Sequence, residues 1–154
     1  IMSFTAEEIW SYLPHSDSDN SESIFLNQMP EKSGITFSDE FVKKWELIYS
    51  TRETVNKALE EKRNEKVIGK SLEANIIIHS GGEMFEKYSQ LSDQLAEILI
   101  VSGVSVINDK DGETEFEVVR ATGEKCERCW VYSETVGKDS EHPTLCSRCA
   151  SVVK

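Results

Sequence analysis

The sequence is poor in the features that mark secreted or membrane-spanning chains. Apolar runs are short, and Ile76-Ile77-Ile78 falls far below the ~20 residues that cross a bilayer as a helix. No membrane partner is therefore expected. No apolar signal-type stretch and no Asn-x-Ser/Thr acceptor occurs, so nothing points to an oxidising compartment. Histidine is scarce: His15, His79 and His142 lie far apart, and no Ser or Cys nucleophile has a recognisable partner. Paired acids such as Glu60-Glu61 read as ordinary helix surface. No catalytic residue is assigned. Positive charge is also short, with 17 Lys and Arg against 28 Asp and Glu and a net charge of -11. That balance discourages a nucleic-acid assignment, because phosphate binding depends on basic side chains releasing counterions.

What is present begins with four cysteines in two Cys-x-x-Cys pairs, Cys126 and Cys129, then Cys146 and Cys149. Two residues between thiols let both sulfurs of a tight turn converge on one ion, and the intervening segment lets a second such knuckle fold back to complete a tetrahedral shell. The spacing points to one structural Zn2+, since four thiolates leave no open position for water or substrate. Other readings of the same residues exist. Two disulfides need an oxidising compartment. A redox pair needs a low-pKa thiol in a thioredoxin-like pattern, which a doubled motif fits poorly. An iron-sulfur centre uses the same ligands, although its usual spacings differ. His142, in the loop between the pairs, reads as a spare ligand or as a packed loop histidine, with the four thiolates favouring the latter.

Length and composition fit a soluble, folded chain of one ordinary domain or two small ones: 154 residues, 38% hydrophobic, 29% charged, with a mean hydropathy of -0.41. Met2 follows Ile1 rather than opening the chain, so a longer parent polypeptide is expected. The charge is uneven. Acid concentrates in His15 to Ser23 and in Asp109 to Glu117, whereas bases gather at Lys57, Lys62, Arg63, Lys66 and Lys70 and again at Lys125, Arg128 and Arg148 beside the thiols. For any single lysine, a solvated helix face is the simpler reading.

Along the chain, Thr5-Ala6-Glu7-Glu8 has the spacing of a capping box, predicting a short helix to about Leu13. Pro14, the Ser/Asp/Asn run, Pro30 and Gly34 predict a loop to about Thr36. Ser38 is placed to cap a second helix to about Lys66, with Asp39 and Glu40 suited to the positive end of its dipole. Its apolar stripe of Phe41, Trp45, Ile48, Val55 and Leu59 predicts one packed face. Leu72 to His79 reads as a strand, turned by Gly81-Gly82. Glu83 to Tyr88 suggests one or two helical turns, and Ser92 caps a further helix through Leu99. Val104 to Ile107 and Glu115 to Val119 read as antiparallel strands joined by Asn108 to Gly112. The fold class is α+β. Gly69-Lys70-Ser71 imitates the end of a P-loop, but Asn64 stands where its first glycine is required and no strand precedes it, so nucleotide binding is rejected there.

Four segments carry a resemblance. They are Phe4 to Trp10, Arg52 to Glu60, Ile68 to Ala74, and the Cys-Glu-Arg-Cys-Trp and Cys-Ser-Arg-Cys knuckles. In this order they resemble the carboxy-terminal part of bacterial-type isoleucyl-tRNA synthetase, a class I aminoacyl-tRNA synthetase, over nearly the whole chain. The resemblance implies three parts: the end of a helical anticodon-binding domain over 1–68, a small α+β junction over 69–122, and a zinc-binding domain over 123–154. It implies a cytoplasmic role in protein biosynthesis, attaching isoleucine to its tRNA with ATP. The family's two ATP-binding signatures and its editing domain lie outside these residues, so the chain by itself is expected to be inactive. Implied partners are the anticodon stem-loop of the isoleucine tRNA and the remainder of the synthetase chain.

Loop bases of RNA are read by stacking on aromatic or guanidinium planes and by hydrogen bonds to exposed edges. Trp130 and Arg128 are therefore candidate RNA contacts, followed by Arg148. Arg52, Arg63 and Lys66 are candidates for phosphate, with salt bridging to neighbouring Glu as the competing role. A zinc-stabilised protein-interaction module with no nucleic-acid role is the alternative, and the acidic charge suits a basic protein partner.

Overall fold

The computed structural model describes residues 2–29, 31–110 and 112–153. The expectations placed on Ile1, on Pro30 in the loop and on Asp111 in the turn lie outside the described residues. The chain divides into two compact units, Ile1–Ser38 and Asp39–Lys154.

In the first unit, helix α1 spans Ser3–Tyr12 and none of its residues is buried. The capping box is a misreading: Thr5 lies inside the helix, because Ala6 N–H already bonds to Met2 C=O at 2.8 Å and closes a turn before Thr5 could cap it. Glu7, the third residue of that supposed box, instead accepts the Ile24 N–H at 3.2 Å. The acidic stretch after Pro14 is tied back by polar contacts. Trp10 donates its indole N–H to Asn20 C=O at 3.1 Å, and the Asn27 side-chain amide donates to the carbonyls of Asn20 and Ser23. A single 3-10 turn, Ile24–Leu26, is capped by Ser23.

The second unit opens with α2, Asp39–Asn64, which carries Asp39 and Glu40 in its first turn and Lys62 and Arg63 in its last. Those charges complement the helix dipole at both ends. The expected stripe packs unevenly: Ile48, Val55 and Leu59 are buried, Trp45 is half-buried, and Phe41 remains exposed. The helix stops at Asn64, short of the expected Lys66. There Val67 N–H reaches back to Lys62 C=O at 3.0 Å while Lys66 takes the left-handed conformation, φ 61°, the six-to-one closure that ends many helices.

Strand β1 (Ala74–Ser80) follows a 3-10 turn at Ser71–Glu73. Helix α3 (Gly82–Leu99) then leads to β2 (Gly103–Asn108), and β3 (Glu115–Arg120) completes a sheet of order β2-β1-β3. Two expectations fail here. The two helical pieces are one continuous helix, with Ser92 inside it donating to Ser89 C=O at 2.9 Å rather than capping. The helix ends where Ile100 turns left-handed, φ 58°, and its N–H bonds back to Ala96 and Glu97 carbonyls. Nor do β2 and β3 form an antiparallel hairpin. β2 runs parallel to β1 (Ile76 opposite Val104) and β3 antiparallel to it (Ile76 opposite Val118). The cause is the helix: a strand that returns by a helical crossover lies parallel to its predecessor. The central place goes to β1, whose every second residue is buried.

Ile76, Ile78 and Val118 of the sheet, Leu91, Leu95 and Leu99 of α3, and Ile48, Val55 and Leu59 of α2 form one apolar core. Both helices thus cover the same sheet face. Within this core the Thr51 and Tyr88 hydroxyls meet at 2.8 Å, satisfying two polar groups that are 2% and 3% exposed. Immediately after β3 come β4 (Glu124–Lys125), β5 (Tyr132–Ser133) and α4 (Ser147–Val153).

Candidate metal centre

The two-residue strands β4 and β5 pair antiparallel, Lys125 opposite Tyr132, and the turn between them is the first knuckle. Trp130 N–H bonds to Cys126 C=O at 2.8 Å and Cys126 N–H to Val131 C=O at 3.0 Å. The second knuckle runs into α4, where Ala150 N–H bonds to Cys146 C=O at 2.9 Å. Glu127 N–H reaches Thr144 C=O at 3.2 Å and joins the two. Cys126, Cys146 and Cys149 are buried, with Val136 and Leu145 packed against them.

All four Sγ atoms lie within 4.8 Å of one another. Cys129 and Cys146 are 3.8 Å apart at sulfur, which matches the edge of about 3.8 Å implied by a zinc tetrahedron with Zn–S near 2.3 Å. A disulfide needs about 2.05 Å, and all four cysteines are free. Among the described residues no other group of Cys, His, Asp or Glu converges in this way, and His142 is not part of the cluster.

The thiols differ in acidity before any ion is considered. Burial pushes Cys126 up, but the amide N–H groups of Cys129, Cys146 and Arg128 outweigh it and bring the thiol down to about 6. Burial pushes Cys146 up to about 11, and the neighbouring sulfurs add to the effect. Crowded sulfurs resist ionising together, and a dication at their centre removes that conflict by deprotonating every ligand. The donor set fits one zinc ion, which here supplies cross-linking and leaves no coordination position for chemistry.

A tetrathiolate zinc centre carries two net negative charges, and two arginines face it. Arg128 directs Nη1 toward Cys149 Sγ at 3.8 Å. The Cys129 thiolate beside Arg148 raises that guanidinium's pKa, and Arg148 also pairs with Glu97 at 3.0 Å. Trp130 is different. It adopts φ 66°, a conformation rare for a bulky residue, and the residue is 60% exposed. The Lys125 ammonium sits 5.5 Å from the ring centroid.

The remaining candidates lie on and just after α2. Arg52 is exposed. Arg63 is engaged with Glu60, with Gly69 C=O at 3.2 Å and with Ser71 Oγ at 3.3 Å, so it stitches the helix end to the turn before β1. Lys66 is the exposed left-handed residue that closes α2. At the rejected P-loop imitation, Gly69 N–H donates to Glu73 Oε2 at 2.8 Å, occupying the amide a phosphate would use. Reasoning from the sequence left Lys125 out of the candidate contacts, although its position one residue before the first thiol was the available cue.

A closed tetrathiolate finger behind an α+β body that opens with a long helix defines a class: a structural zinc-finger protein. Residues 123–152 match the family described as the zinc finger found in FPG and IleRS, and residues 1–78 match the anticodon-binding domain of tRNA ligase. The chain belongs to the anticodon-binding domain family of tRNA ligases, with this zinc finger at its end. It is similar over its whole length to the isoleucine–tRNA ligases of Bacillus mycoides (strain KBAB4), 44% identical, and Bacillus cereus (strain B4264), 43% identical. It spans 17% of the length of these relatives. The resemblance drawn from the knuckles and the three upstream segments is thus shown, and the metal is that of a zinc finger. No helix among the described residues is long and apolar enough to cross a membrane.

Proposed function

We propose that this chain is the anticodon-side, tRNA-binding part of a longer cytoplasmic isoleucine–tRNA ligase, whose adenylation and transfer chemistry belongs to the remainder of the polypeptide. The partition into a helical anticodon-binding part over 1–68, a junction over 69–122 and a zinc module over 123–154 is carried into this reading. The observation that supports it best is Trp130: an exposed indole held on a metal-closed turn, with a lysine ammonium above its ring. Such a ring offers a stacking surface to an unstacked base of the anticodon loop, and the ammonium offers charge to the adjacent phosphate. Arg128 and Arg148 hold the thiolates and extend their remaining N–H donors to the RNA. Arg52 and Lys66 supply phosphate contacts on α2, and Arg63 adds to them from its place at the helix end.

Trp130→Ala in the full-length ligase tests this. Alanine faces the same left-handed backbone demand as tryptophan, so the substitution isolates the ring. Base–aromatic stacking is worth about 1–3 kcal/mol, so KM for isoleucine tRNA should rise roughly 5- to 150-fold. Isoleucine-dependent ATP–pyrophosphate exchange should be unchanged. Equal loss in both assays, or binding that does not distinguish isoleucine tRNA from a mismatched tRNA, would reject the anticodon-side role. The acidic charge would then favour a protein-interaction module.

A further inference from the structure

We propose that Ser102 is a positioning residue which, together with Gly123, fixes the angle at which the zinc module stands on the junction sheet. The module and the junction do not meet through close apolar packing. A cleft of about 560 Å³ lies between them, lined by Leu72, Ala96, Ile100, Val131 and Arg148 among others. The Arg148–Glu97 pair across it is exposed on both sides, and exposed pairs hold geometry weakly.

Ser102 lies in the short connection between α3 and β2, and its backbone N–H is anchored to Ala74 C=O at 2.9 Å. Its hydroxyl meets the Leu72 carbonyl at 2.5 Å and the Tyr132 N–H at 2.8 Å. A carbonyl can only accept and an amide can only donate. The hydroxyl proton is therefore committed to Leu72 and a lone pair to Tyr132. One side chain ties the turn before β1, the end of the crossover and the outer edge of β5. Tyr132 is two residues beyond Trp130, so this bond acts on the strand that follows the turn carrying the exposed indole.

Gly123 holds the entrance to the module close against the end of β5. It takes φ +85°, and a Cβ there would lie 2.3 Å from Ser133 C and 2.5 Å from Glu134 N. The linker thus lies flat on the peptide that follows β5, with no room for a side chain. Ala121 N–H bonds to Glu73 C=O at 2.7 Å just before it. Ala121 ties the linker to the junction, Ser102 ties β5 to it, and Gly123 lets linker and β5 lie together, so the module can turn only about the line that joins those ties.

The consequence for RNA rests on the function proposed above, so the test separates the two ideas. Zinc-loaded chain is prepared unaltered and as Ser102→Ala, Ser102→Thr and Gly123→Ala. Zinc stoichiometry is measured, and N–H residual dipolar couplings are compared between residues 74–120 and 124–153. The unaltered chain and Ser102→Thr, which keeps the hydroxyl, should fit one alignment tensor. Ser102→Ala and Gly123→Ala should keep one zinc per chain while the couplings of 124–153 depart from that tensor. In the full-length ligase Ser102→Ala should raise KM for isoleucine tRNA roughly 2- to 10-fold, the effect of one hydrogen bond, with amino-acid activation unchanged. A single tensor retained in Ser102→Ala would overturn the positioning role, and so would loss of zinc, which would make Ser102 part of the module's own fold. A divergent tensor with unchanged tRNA KM supports the joint and removes the RNA reading instead.

Discussion

Replacing one thiol should unfold the zinc module and spare the rest of its unit. Cys126 is the most informative target because it is 0% exposed and its sulfur also accepts the Cys146 N–H at 3.3 Å. Serine at this position keeps the size but is a poor ligand for a soft, thiolate-selecting site. Structural zinc sites of this kind bind with about 10–16 kcal/mol of apparent free energy. Against this, among the described residues Val136 and Leu145 are the partly buried aliphatic side chains packed on the cysteines, and each contributes at most about 1.5–3 kcal/mol even when fully buried. Apolar burial cannot replace the ion. Losing one ligand of four, taken as a quarter of the zinc term, costs about 2.5–4 kcal/mol, or roughly a hundredfold to a thousandfold in the opening equilibrium. Segment-resolved hydrogen exchange should therefore show protection collapsing over 124–153 in Cys126→Ser, or in the unaltered chain after chelation. The amides of β1, α3 and β3 should change little, because their core is separate. A variant that held one zinc per chain with unchanged exchange across 124–153 would refute the reasoning.

Two further outcomes are expected. His79 donates toward Asp109 at 2.9 Å and lies 3.4 Å from Glu117, and the Asp109 carboxylate, with Glu117, raises its pKa above the ordinary 6.5 despite some desolvation. Its contribution to stability is therefore fully present below the unfolded value and lost as pH rises through the folded one, and an NMR titration of His79 with a midpoint at or below 6.5 would contradict the pairing. Tyr88→Phe leaves the Thr51 hydroxyl without its buried partner and should cost about 1–3 kcal/mol in thermal unfolding. Adding Thr51→Val should recover much of that loss, and a double variant no more stable than the single one would show that the hydroxyl pair is not the cause.

The parts legible in the sequence were those whose cause is local. Ligand spacing is a property of a few consecutive residues, and so Cys126, Cys129, Cys146 and Cys149 could be assigned to one ion from their pattern. The buried stripe of α2 was readable for the same reason, since helical period is written in steps of three and four. Strand pairing was not. Val104 to Ile107 and Glu115 to Val119 are separated by a turn-rich segment that looks like a hairpin, yet both prefer the flanks of β1, whose residues lie 28 positions upstream of their partners in β2 (Ile76 opposite Val104, 104 − 76). Local turn chemistry says nothing about a better partner elsewhere. Ser92 misled in a related way: serine favours caps and breaks, but the apolar face of Tyr88, Leu91, Leu95 and Leu99 rewards one unbroken helix, whereas Gly81-Gly82 turns the chain between β1 and α3 as read. Ser102 and Gly123 left no signal, because their roles are defined only by what folds against them.

The left-handed turn at Trp130 places a large exposed ring at the tip of a loop whose shape is set mainly by its backbone. Its backbone path is held by the Trp130 N–H to Cys126 C=O and Cys126 N–H to Val131 C=O bonds, and the ring adds its contact with the Lys125 ammonium. Substitution at position 130 therefore changes the surface of the tip while those backbone bonds remain available to hold its shape.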